Sequence, residues 1–100
     1  MRADGQAESL RSLAQSWAEA EINNADAWFI LGNALHDLGR YDDAIDAYRK
    51  AIVNDLDHSG AWFGLGVAYM RERNTDESET VLHVLKSLDD KLVAKLMLEK

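Results

Sequence analysis

Eight residues of this chain recur almost unchanged 34 positions later. Ala27-Trp28-Phe29-Ile30-Leu31-Gly32-Asn33-Ala34 returns as Ala61-Trp62-Phe63-Gly64-Leu65-Gly66-Val67-Ala68, with six of the eight residues identical. A fixed period of this length fits one helical hairpin, which cannot bury its apolar face alone and must stack on a neighbour. The repeat therefore predicts an all-α array of helix–turn–helix units. It points toward binding rather than catalysis.

Apolar residues follow a helical period nearly everywhere. Leu10, Leu13, Ala14 and Trp17 stand at i, i+3, i+4 and i+7, predicting one face of a helix over about residues 6–21. Asn23 and Asn24 mark a turn, and Asn24 is placed to cap the next helix. That helix, over 25–38, carries Trp28, Leu31, Gly32 and Leu35 on one face and stops at Gly39, where a left-handed residue is wanted. A third helix, over 41–54, buries Ala44, Ile45, Tyr48, Ala51 and Ile52, with Asp42 and Asp43 in its first turn. The pattern then runs again over 60–73 and 76–88, with Asn74 as the intervening turn residue and Thr75 as the expected N-cap. A sixth helix after Asp90 would place Leu92, Val93, Leu96 and Met97 on one side. No segment reads as a strand.

Charge narrows the range of partners. The 100 residues carry 11 basic and 18 acidic side chains, for a net charge of −7, and no segment is basic. Nucleic acid is an unsuitable ligand, because binding it requires Lys and Arg to neutralise phosphates. Anionic membranes are disfavoured for the same reason, whereas an apolar or basic protein partner is accommodated. The chain has no Cys, and its N-terminus lacks the apolar core of a signal peptide, so a cytoplasmic protein is expected.

These residues resemble the tetratricopeptide repeat (TPR) family. Counting a unit from Ala25, the pattern is met at Trp28, Leu31, Gly32, Gly39, Tyr41, Ala44, Tyr48 and Ala51. The second unit meets it at Trp62, Leu65, Gly66 and Tyr69, then departs: Arg73 replaces the Gly39 type, Ser78 the Ala44 type and Leu85 the Ala51 type. The Pro that usually closes each unit is absent. The resemblance implies a right-handed solenoid with two full units. One domain, 1–100, would comprise an N-terminal helix (7–24), repeat one (25–58), repeat two (59–90) and a capping helix (91–100). It also implies that the first helices of successive units line a concave groove for a peptide or partner helix, in a scaffold or adaptor rather than an enzyme.

With Trp28, Leu31 and Leu35 in the core, the neighbouring face presents Phe29, Asn33 and His36, and its counterpart in the second unit presents Phe63, Val67, Met70 and Arg71. These seven residues are the candidate partner-binding groove, since aromatic and Met side chains adapt to apolar ligand segments. The alternative is that the terminal helices fold back over this face. A clamp for a C-terminal carboxylate is not expected: Phe29 stands where the family uses Lys, and Arg71 is the only cation of the set.

No cofactor or metal site is expected. His36, His58 and His83 lack any ligand spacing along a helix, and each reads as a solvated or packing residue. Asp42, Asp43 and Asp46 read as a solvated first helical turn. No phosphate loop, nucleophile turn or catalytic set is present. The two competing readings are a self-associating array, docking through Leu92, Val93, Leu96 and Met97, and a positioning domain within a larger enzyme.

Overall fold

The computed structural model describes residues 3–88, which form α1 (Ala3–Ala20), α2 (Ala25–Asp37), α3 (Tyr41–Asn54), α4 (Ser59–Arg71) and α5 (Thr75–Leu88). Among the described residues there is no strand. Each helix packs on the next in chain order, and α2 also meets α4. The result is an all-α array in which the first helices of two consecutive hairpins, α2–α3 and α4–α5, lie side by side. The expected sixth helix and its apolar residues fall outside the described residues.

The helix boundaries follow from local chemistry repeated at the same period. Asn24 Oδ1 accepts from the Ala27 N–H at 3.2 Å, and His58 Nδ1, 34 positions on, accepts from the Ala61 N–H at 3.0 Å. Each satisfies a donor that the first turn would otherwise leave orphaned. At α5 the cap is Asn74, whose Oδ1 faces the Glu77 N–H at 3.4 Å; Thr75, the expected cap, is instead the first helical residue. Both first helices end in the same Schellman geometry. The Arg40 and Asn74 N–H groups reach back to Leu35 and Tyr69 carbonyls at 2.9 and 2.8 Å, and Gly39 and Arg73 bond to His36 and Met70. That geometry needs a left-handed residue, and both supply it: Gly39 at φ 77° and Arg73 at φ 60°.

The other two departures of the second unit have structural counterparts. Ser78 is buried, and its hydroxyl donates to the Thr75 carbonyl at 3.0 Å, so the polar atom is satisfied inside its own helix turn. Leu85, fully buried, joins Val67 in a second apolar cluster with Trp62, Phe63, Met70 and Leu82 packed against it.

The main core runs continuously from Ala14 and Ala18 of α1 to Val81 of α5. Trp28 and Trp62 do more in it than fill volume. Trp28 Nε1 donates to the Ile22 carbonyl and Trp62 Nε1 to the Leu56 carbonyl, both at 2.8 Å, so each indole ties its helix back to the turn that precedes it. Lys50 places its ammonium 4.7 Å above the Trp28 ring.

Tyr48 is the wedge between the two hairpins. It is 2% exposed, and its ring passes so close to α2 and α4 that a Cβ on Gly32 or Gly64 would come within 2.6 Å of it. Glycine at both positions makes room for the ring. The preceding joint solves the same problem with opposite sizes. One period earlier, Ala14 stands in place of Tyr48 and Ile30 in place of Gly64, and Ile30 packs on the cluster that contains Ala14.

The α1 face differs from the expected one. Ala14 is buried and Trp17 half-buried, but Leu10 and Leu13 are 42% and 71% exposed, and Ala18 completes the contact stripe. Among the described helices α1 packs on α2 alone, and small residues let it approach that one neighbour closely; the bulkier leucines point away from it.

Candidate interaction groove

The parallel placement of α2 and α4 creates a hollow of about 440 Å³ between them. From α2 it is lined by Phe29, Asn33 and His36; from α4 by Gly60, Phe63, Gly64, Val67 and Arg71; Tyr48 of α3 forms its floor. Six of the seven candidate groove residues thus lie around one concavity. Met70 does not line it. One residue short of Arg71 on α4, it turns toward the second cluster beside Leu82 and Leu85.

The lining residues are held by different means. The Tyr48 hydroxyl donates to Asn33 Oδ1 at 2.6 Å, fixing the Asn33 amide with its nitrogen as the remaining donor. Phe29 is half-buried, its ring 6.2 Å from Tyr48 and 4.8 Å from His58. Gly60 lies beneath it, where a Cβ would come 3.1 Å from Phe29 Cζ. His36 meets the Tyr41 ring edge-on at 5.1 Å. Phe63 is half-buried and Arg71 exposed, whereas Val67, at 7% exposure, belongs to the core and contributes only the bottom of the hollow.

His58 has a more defined role than a solvated or packing residue. With Nδ1 accepting from the Ala61 N–H, the neutral ring carries its proton on Nε2, which donates to Asp26 Oδ1 at 2.9 Å. One side chain thus caps α4, holds the N-terminal end of α2, and supports Phe29 from behind. Sequence reading also passed over Tyr48, Gly60 and Gly64 as lining residues. The signal for Gly64 was present, since it is one of two positions at which the repeated octets differ.

Burial raises the Tyr48 phenol pKa well above its ordinary value, with the Asp37 carboxylate adding to the effect. The phenol is therefore a neutral hydrogen-bond donor at physiological pH. No group of His, Asp and Glu suited to a metal ion occurs among the described residues. None of the described helices is long and apolar enough to cross a membrane.

Paired helices repeated at a fixed period, with a shared core and a concavity built from successive first helices, define a helical-repeat protein. The chain belongs to the tetratricopeptide repeat family, whose pattern matches residues 25–57. It is 38% identical over 68 residues to Tetratricopeptide repeat protein 37 of Xenopus laevis, a match covering 68% of this chain and 4% of that protein. With Tetratricopeptide repeat protein 8 of Homo sapiens it shares 33% identity over 75 residues, covering 75% of this chain and 14% of the relative. The chain thus spans only a small fraction of either relative's length. Among solved structures, the type III secretion translocator chaperone SycD of Yersinia enterocolitica superposes with a TM-score of 0.85 at 18% identity, over 95% of this chain and 72% of that one. That likeness concerns the fold. Proteins of this family are in general protein-interaction modules rather than enzymes.

Proposed function

We propose that the hollow between α2 and α4 receives a segment of a partner protein, with Phe63 as its apolar anchor and Asn33, His36 and Arg71 as polar contacts. The observation that carries this reading is the convergence of aromatic and polar side chains from two successive first helices on one concavity of about 440 Å³. Such a mixture suits a peptide whose apolar side chain enters the hollow while its backbone meets amide and guanidinium donors. The chain's negative charge favours a partner that is apolar or basic rather than acidic.

The test compares wild type with Phe63→Ala in affinity capture from the source organism, followed by titration of each retained protein in purified form. Phe29 packs on His58 and Tyr48 at the joint between hairpins, whereas Phe63 packs on the smaller Val67–Leu85 cluster, so Phe63 is the probe and a circular-dichroism melt checks that the variant folds. Loss of an interface anchor costs about 2 kcal/mol or more, roughly a thirty-fold weakening. A partner bound equally well by a folded Phe63→Ala variant removes the hollow from consideration as the contact surface.

A further inference from the structure

The two first helices are capped by different chemistry at equivalent positions. Asn24 caps α2 with an amide oxygen, which accepts at any pH, whereas His58 caps α4 with Nδ1, 3.0 Å from the Ala61 nitrogen. An imidazole nitrogen accepts only while the ring is neutral, because protonation places a hydrogen on both nitrogens. Of these two caps, the one at the second joint therefore depends on a proton, and the one at the first does not.

The His58 side chain is only 14% exposed, and its neighbours come from three elements. On α2, Asp26 Oδ1 lies 2.9 Å from Nε2, and the Phe29 ring centroid lies 4.8 Å from that of the imidazole. On α4, a Cβ at Gly60 would come 3.3 Å from His58 Cε1. In the preceding turn, Asp55 accepts twice: its carboxylate from the Asp57 N–H and its carbonyl from the His58 N–H. The first turn of α4 holds no acid, and among the described residues α3 and α5 give the ring no ion-pair partner. Asp26, itself 73% exposed, is the carboxylate that touches the ring.

We infer that His58 is a proton-operated latch between α2 and α4. In the neutral ring Nδ1 fastens the first turn of α4 while Nε2–H holds Asp26. In the protonated ring Nε2–H keeps Asp26, but Nδ1–H would face the Ala61 N–H across 3.0 Å, donor against donor. The new positive charge also opposes the positive N-terminal end of the α4 dipole. The ring therefore turns away from α4 toward Asp26, and the first turn of α4 loses its cap. Phe29 rests on this ring and lines the concave hollow, so the same event loosens that end of the hollow. The latch is a property of the free chain and holds whether or not the hollow receives a partner.

The experiment follows the isotope-labelled full chain by NMR from about pH 8 to about pH 5, the range in which imidazoles change charge and most carboxylates do not. It records the His58 ring signals together with the solvent-exchange protection of the Ala61 and Ala27 amides, each corrected for the intrinsic pH dependence of exchange. Protection at Ala61 should fall about five-fold, the loss of one cap, with the same midpoint as the His58 ring. Protection at Ala27, under the Asn24 cap, should stay constant. His58→Asn installs the cap that the chain already uses at Asn24, and should keep Ala61 protected across the whole range. Protection at Ala61 that persists while the His58 ring titrates overturns the latch, as does a ring that stays neutral throughout. So does a parallel loss at Ala27, or the same pH dependence in His58→Asn.

Discussion

Replacing Gly64 by Ala tests the Tyr48 wedge, because its effect should reverse with the size of residue 48. On α4 the new Cβ would lie 2.6 Å from Tyr48 Cζ and 2.7 Å from Cε1, distances that a rigid ring held between two helices cannot absorb by a rotamer change. Overpacking of this kind costs about 1–3 kcal/mol. Against it stands the helix propensity of Ala over Gly, worth about 1 kcal/mol in a helix interior. The single variant should therefore be destabilised by up to about 2 kcal/mol. In a Tyr48→Leu background the ring is gone, and Leu is the residue the chain itself uses at the equivalent position, Leu82. There the same Gly64→Ala change should stabilise by about 1 kcal/mol. The coupling between the two sites is then on the order of 1–3 kcal/mol, well above the ~0.5 kcal/mol scatter of independent sites. Urea unfolding of the four proteins, followed by far-ultraviolet circular dichroism, measures it. Equal effects of Gly64→Ala in both backgrounds would refute the wedge.

Two further predictions concern single residues. Arg73→Gly should stabilise the chain by about 0.5–1 kcal/mol, since an L-residue in the left-handed region costs roughly 1–2 kcal/mol, partly offset by the greater freedom of Gly when unfolded; a calorimetric melt that fails to rise contradicts it. The raised pKa of Tyr48 makes stability fall at alkaline pH: the contribution is complete below the unfolded-state value near ~10 and is lost as pH climbs toward the higher folded-state value, because only the unfolded chain ionises freely. Tyr48→Phe should flatten the decline in urea midpoint between about pH 8 and about pH 11, leaving the smaller share due to Tyr69. An unchanged decline would show that the buried phenol does not drive it.

What the sequence disclosed was mostly local. Asn24, Gly39 and the buried stripe of α3 could be read because caps, left-handed turns and helical periodicity act within a few residues of one another. Features depending on distance between units were harder to read. Leu13 satisfies the periodicity of α1 as well as Ala14 does, and only the choice of neighbour decides which is buried. His58 looked like any surface histidine, because capping by an imidazole requires knowing that Nδ1 faces the Ala61 N–H and Nε2 faces Asp26. Val67 lines the bottom of the hollow and is at the same time buried, because Leu85, in place of a small residue, packs on that side of α4.

The alternation of sizes at the two joints gives this array a fixed order. A second copy of residues 25–58 spliced directly after the first would present Ile30 to Tyr48, two large side chains where the native joint pairs a ring with a glycine. Exchanging neighbours, skipping a unit or borrowing one from another copy all create a mismatch of this sort, either a collision or a void. The hairpins therefore behave as numbered pieces rather than interchangeable ones. During folding, such mismatches would penalise the register slips and swapped partners to which repetitive chains are prone.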